Sequence, residues 1–328
     1  MRKVMIVVLC FFVAGIVCAG GSGEAAPESV NLRYGNSYPP DHPSNIASAK
    51  FADLVKERTG GKVTVSLFPG GQLGGDRDQA EGTIMGTQEM VLIGTGGISQ
   101  FSPILGIGEC PFIWRDVEHM GKVLDSDVGK ELTADLLKNR GLRILEFFYY
   151  GTRHLTANKP VRSPADMQGF KLRTPQVPVL VAMAKSWGAE PTPMDISELY
   201  LSLKTNVVDG QENPIPTIDG FKFYEAQRYL ILTGHVKTPS PLIINERVFQ
   251  GLSGEYQGAV TASARDARNL NDALTIEAEN KLLDAMKGFG MQIIEPDIEA
   301  FRRATGVVPP QFESVWGKGL YERIVNTR

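Results

Sequence analysis

Two arginines twenty positions apart, Arg153 and Arg173, stand in text rich in aromatic and aliphatic residues: "YYGTRHLTANKPVRSPADMQGFKLRTP", residues 149–175. Arg153 follows Tyr149, Tyr150, Gly151 and Thr152, and Arg173 falls in the alternation Lys171, Leu172, Arg173, Thr174. A guanidinium buried among such neighbours is costly unless an anion meets it. Its planar fork of donors takes a carboxylate two-pronged, which lysine does not do. The anion is either part of this chain or arrives from outside, and the spacing alone leaves both open.

Other chemistry is hard to assemble. His42, His119, His154 and His235 are too scattered for a motif such as H-E-x-x-H. "GTGGIS" and "GIGEC" are glycine-rich, yet match neither the dinucleotide nor the P-loop fingerprint, and no G-x-S-x-G elbow occurs. No catalytic residue, metal or cofactor is therefore expected. The carboxylates are numerous, so pattern by itself leaves a two-carboxylate hydrolase open.

The elements that must position the arginines are legible in outline. Residues 30–34 alternate as a strand, and Ile46, Ala49, Phe51, Ala52 and Val55 recur at helical spacing until Gly60-Gly61. Residues 62–68 form a strand, a helix reaches about Met85, and residues 90–93 form another strand. A second unit of this kind follows "GLRILEFFYYGTRHLTA": a strand in "GFKLRTP", a helix ending at Gly188, and the extended "AEPTPM". In "DISELYLSLKTN", Asp195 and Glu198 have capping-box spacing. Residues 252–288 read as one long helical region, followed by a late strand in "GMQIIEP" and a terminal helix. This predicts an α/β protein of two doubly wound lobes with mainly parallel sheet, enclosing a cleft where small ligands bind.

Met1, Arg2 and Lys3 precede a charge-free run over residues 4–19, the pattern of a secretory signal peptide cleaved after Ala19. The run is short for a membrane span. Cys18, before the Gly/Ser/Ala-rich residues 19–27, offers lipid anchoring as the alternative. Loss of Arg2 and Lys3 lowers the formal charge of −3 by two, a balance ill-suited to nucleic acid. Cys110 is then the one cysteine certain to remain, so no internal disulfide is expected. About 309 residues, 19 fewer than the full 328, suit two domains.

"GTRHLTANKPVRSPADMQGFKLRTP", continuing through "GAEPTPMDISELYLSLKTNVVDGQENP", resembles the solute-binding proteins of TRAP transporters, the DctP-type extracytoplasmic receptors. "FPGGQLGGDRDQAEGTIMGT", residues 68–87, is similar to the same family's strand-to-helix segment. The resemblance implies a periplasmic-binding-protein-like fold with a long helix crossing both lobes, supplied by "DISELYLSLKTN" or by residues 252–288. It implies that Arg173, in the family's K-L-R strand, grips the carboxylate of an organic acid. Arg153 of G-T-R is then a second cation near the ligand, and Asn213 of "VDGQENP" a polar contact. Tyr149, Tyr150, Asn36, His42, Gln72 and Asp76 are further candidates, with Tyr38 in the same first loop. Gly94 matches an acidic position of sialic-acid receptors in the family, which argues against sialate. The expected lobes are residues 29–150 with about 239–278, and 151–238 with about 279–328, after a signal peptide 1–19 and a tether 20–28.

The expected activity is capture of an acid in the periplasm by a monomer and its delivery to a membrane permease, without catalysis. Sugar acids such as uronates or aldonates and C4-dicarboxylates both fit. Tyr149, Tyr150 and the polar first loop lean towards a hydroxylated acid. A sensory receptor for the same acid, or a secreted enzyme acting on an anionic small molecule, are the competing readings.

Overall fold

Alternation along the first strand sets the pattern of one lobe: Leu32 and Tyr34 are buried while Asn31 and Arg33 face solvent. The computed structural model describes residues 29–328; the signal peptide, the tether and Cys18 lie outside the described residues. Nine strands are present among the described residues: β1 Val30–Gly35, β2 Val63–Phe68, β3 Met90–Leu92, β4 Leu142–Ala157, β5 Lys171–Thr174, β6 Glu190–Pro193, β7 Gly210–Pro214, β8 Tyr229–Asn245 and β9 Gln292–Ile294. Their order is β2-β1-β3-β8-β4-β7-β5-β6, with β9 pairing β8.

The sheet is mixed. Parallel trios β2-β1-β3 and β6-β5-β7 lie at its two ends, and β3 and β7 join β8 and β4 antiparallel. The long strands β4 and β8 pair with each other throughout and belong to both ends. The expected parallel pairing holds within the two trios, and the antiparallel pairings all involve β4 or β8.

Strand β4 pairs Tyr149 with Pro239 and Gly151 with Thr238, two residues against one, which is a bulge. Such a bulge leaves backbone groups unpaired, and buried groups of this kind must find partners. The 35-residue helix Gly254–Gly288 supplies them. Asp272 accepts the Tyr149 N–H at 2.8 Å, Asn271 donates to the Tyr149 carbonyl at 2.9 Å, and Glu279 accepts the Thr152 N–H at 2.5 Å. At 1.5 Å per residue this helix is about 50 Å long, and it packs on helix Pro43–Arg58 towards one end and helix Ile215–Gly220 towards the other. Ser263, Ala264, Ala267, Asn271 and Thr275 make up much of its buried face, small enough for close approach.

"DISELYLSLKTN" is not the crossing helix. It breaks into a single turn, Ile196–Glu198, capped by the Asp195 side chain, and a six-residue helix, Leu199–Lys204. The terminal helix of the sequence reading is three short ones, Ile298–Thr305, Pro309–Trp316 and Leu320–Asn326. The last two turn back onto the segments Pro103–Glu109 and Asp127–Arg140. Arg115 ties them down through the carbonyls of Val325 and Thr327. No helix of the described residues is long and apolar enough to cross a membrane.

Candidate functional site

Strands β4, β5 and β7 bring Tyr150, Arg153, Arg173 and Asn213 to one wall of a cleft of about 950 Å³, part of it open to solvent. Strict alternation would put Tyr150 and Arg153 on opposite faces of β4. The bulge at Tyr150 resets the phase, so both reach the cleft. The facing wall carries Ser37, Tyr38, Asp76, the bare backbone of Gly94, Gly96 and Gly97, and Glu109. Pro175, Val177, Leu180, Met194 and Ile196 add an apolar floor.

Arg173 is 2 % exposed. Its Nε and Nη2 donate to the Met194 carbonyl at 3.2 and 2.8 Å. It forms no salt bridge among the described residues. Burial pushes its pKa down to about 10, so it remains charged at neutral pH. Arg153, 5 % exposed, is satisfied from within: Nε and Nη2 meet the Glu212 carboxylate at 2.5 and 2.8 Å. Burial opposes the Glu212 charge, but Arg153 overcomes it and holds that carboxyl at about 2. His235 is a further partner of Glu212 at 3.1 Å, and is itself held below its usual range by burial. Asn213 accepts from Arg153 at 3.3 Å and donates to Gln211 at 2.6 Å. Gln211 continues to Thr156 and Gln227, a chain that locks the amide in place.

The other expected residues divide. Tyr150 lines the cleft, stacked on Tyr38 with centroids 4.4 Å apart, and its hydroxyl accepts from Thr217 at 2.5 Å. Asp76 lines it too, its pKa raised by burial and by Asp195, and lowered by Ser37 and Arg173. Tyr149 does not line it: its hydroxyl turns to Thr152 and to Glu279 of the long helix. Asn36 instead braces the first loop, bonding Asn45 and the Tyr38 N–H. His42 caps helix Pro43–Arg58 and stacks behind Tyr38 and Tyr150, its pKa lowered to about 3 by burial. Gln72 is exposed and outside the cleft. The structure thus corrects the placement of Tyr149, Asn36, His42 and Gln72, because bulge phase and loop bonding orient side chains that sequence proximity cannot.

Glu109, Glu212, His235 and Thr238 were not among the expected site residues. Glu109 had left a trace: it is the one charged residue in the apolar and glycine text of residues 104–114. A charge there must find partners if buried. His235 lies on β8, which was not legible as a strand, and Glu212 stands beside Asn213 in "VDGQENP", where nothing local showed that β7 would pair it with Arg153 of β4.

The chain matches the family model described as DctP, bacterial extracellular solute-binding protein, family 7, over residues 34–314. It is 37 % identical over 306 residues to the 2,3-diketo-L-gulonate-binding periplasmic protein YiaO of Escherichia coli (strain K12), covering 93 % of this chain and 92 % of that one. A TRAP periplasmic solute-binding protein from Polaromonas sp. JS666, solved with D-erythronate, superposes with a TM-score of 0.88 at 33 % identity, covering 92 % of this chain and 99 % of that one. Another from Xanthobacter autotrophicus Py2, solved with β-D-galacturonate, gives 0.86 at 31 % identity over 90 % and 100 %. The fold and cleft are those of a two-lobed solute-binding protein. This chain belongs to the DctP family of TRAP solute-binding proteins.

Proposed function

We propose that this protein is an exported, periplasmic receptor that captures an organic acid between its lobes and hands it to the membrane permease of a TRAP transporter. Arg173 receives the acid's carboxylate. The observation that carries this reading is a buried, charged guanidinium facing the cleft, with no carboxylate partner among the described residues. Such a site favours an anion from outside, since an unpaired buried charge is expensive. Arg153 contributes positive potential while Glu212 fixes its orientation, and Asn213 offers both an acceptor and a donor.

The acids bound by the relatives, erythronate and galacturonate, support a carboxylate ligand of this size. Binding without turnover is the reading of the pair Glu212 and His235: both are wholly buried, and the carboxylate is already spent on Arg153. The lobes divide at residues 150 and 238, where β4 and β8 pass between them, with the receptor acting as a monomer. Titration calorimetry on Arg173→Ala tests the assignment. Loss of one partner from a buried charged pair costs about 2–5 kcal/mol, or roughly 30- to 5,000-fold in affinity. Near-wild-type affinity would refute it.

A further inference from the structure

The cleft is electrically lopsided. Arg173 stands on one wall beside the Arg153–Glu212 ion pair, whereas Asp76 and Glu109 stand on the other; Arg77, paired with Glu81, and Asp195 line the cleft as well. Glu109 is 3 % exposed and lines the cleft. Oε1 accepts from the Thr95 hydroxyl at 3.2 Å and from the Gly96 N–H at 3.3 Å, and Oε2 accepts from the Thr238 hydroxyl at 3.1 Å. No Lys or Arg forms a salt bridge with it among the described residues. A carboxylate offers about four lone-pair sites, so these three donors leave capacity over. Burial holds the group above the usual carboxylate range, with Glu212 adding to this and Arg153 opposing it.

Gly94 keeps the approach to this carboxylate clear. A Cβ there would stand 3.5 Å from Glu109 Oε1 and 3.6 Å from Thr238 Cγ2. The neighbouring Gly96 is bare for a different reason, because a Cβ would run into Val177 of the other lobe at 2.7 Å. An oriented acceptor opposite a cationic wall suits a ligand with a carboxylate at one end and a hydroxyl at the other. A second carboxylate would meet Glu109 and Asp76 as like charges in the same cleft, which is disfavoured.

We propose that Glu109 accepts a hydrogen bond from a hydroxyl of the bound acid, and that the cleft thereby selects hydroxylated monocarboxylates over dicarboxylates. This deepens, and rests on, the reading of Arg173 as the carboxylate site.

Calorimetry with D-erythronate, D-galactonate, D-galacturonate, succinate and butyrate tests it on the wild type, Glu109→Gln, Gly94→Ala and Arg173→Ala. The wild type should bind at least one of the three hydroxylated acids about tenfold or more tighter than succinate and butyrate, the worth of one charge-assisted hydrogen bond. Glu109→Gln should lose about that factor and narrow the gap to succinate. Gly94→Ala covers the case in which the glutamine variant fails to fold. Its contacts are ordinary, and its backbone (φ −59°, ψ 150°) accepts any residue. It should weaken the same acid by screening Glu109. Succinate binding as tightly as the hydroxylated acids, or affinity unchanged in both Glu109→Gln and Gly94→Ala, overturns the inference; the Arg173 reading survives if Arg173→Ala still abolishes binding. Binding of none of the five acids, or binding indifferent to Arg173→Ala, overturns that reading and the inference together.

Discussion

Arg153 and Arg173 line the same cleft at similar depth, yet their electrostatics differ. Glu212 lifts Arg153 above the ordinary arginine range, while burial without a carboxylate lowers Arg173 to about 10. A drop from 12.5 to about 10 marks the burial of this charge as unfavourable to folding, by an amount on the order of 3 kcal/mol. The sign follows directly: the folded state holds this proton less firmly than the unfolded state, so the charge opposes folding at every pH below about 10. Arg173→Met, which keeps the bulk and drops the charge, should raise the ligand-free unfolding free energy by about 1–3 kcal/mol while abolishing acid binding. Urea unfolding without ligand checks this, and a variant less stable than wild type would contradict it. The stretch 149–175 showed two candidate cations. Which one was free depended on Glu212, thirty-nine positions beyond Arg173 in sequence and two residues into the neighbouring β7.

At the scale of elements, strand β4 is where local text and final geometry part company. Tyr149 and Tyr150 are adjacent and chemically identical, and both looked like cleft residues. The bulge sends the Tyr149 hydroxyl to Glu279 of helix Gly254–Gly288 and leaves Tyr150 lining the cleft. Gly151 makes the bulge feasible: its φ is +133°, and a Cβ would lie 2.6 Å from that of Pro214. Gly151→Ala should destabilise the protein by about 1–3 kcal/mol through backbone strain alone, and by more if Pro214 cannot retreat. It should also weaken binding, because Tyr150 and Arg153 depend on the same phase. Thermal melts paired with calorimetry separate the two effects; a variant with wild-type stability would show that the strand tolerates the change. Helices and short strands of both lobes were readable from period and from stops such as Gly60-Gly61. The 17-residue β8 was not, since Gly234, Pro239 and Pro241 interrupt any strand-like pattern within it.

Across the whole molecule the two lobes already touch at the cleft, where Gly96 lies against Val177. This is the arrangement expected with ligand enclosed, and the expected hinge elements are the segments shared by the two ends of the sheet, β4, β8 and helix Gly254–Gly288. Small-angle scattering should give a larger radius of gyration without acid than this arrangement has, with compaction on saturation, because ligand contacts favour the closed state. Equal radii with and without a bound acid would count against hinge closure. The amino-acid text by itself determined the family, the α/β lobes, the absence of a nucleotide motif and the identity of the arginine in the K-L-R strand, because these are carried by short-range patterns of residue type. Tertiary structure decided which arginine has no salt bridge among the described residues, which tyrosine lines the cleft, and that Glu109 lines it as well. Those depend on strand phase and on partners far apart in the chain, and a buried charge is defined by what surrounds it rather than by what precedes it.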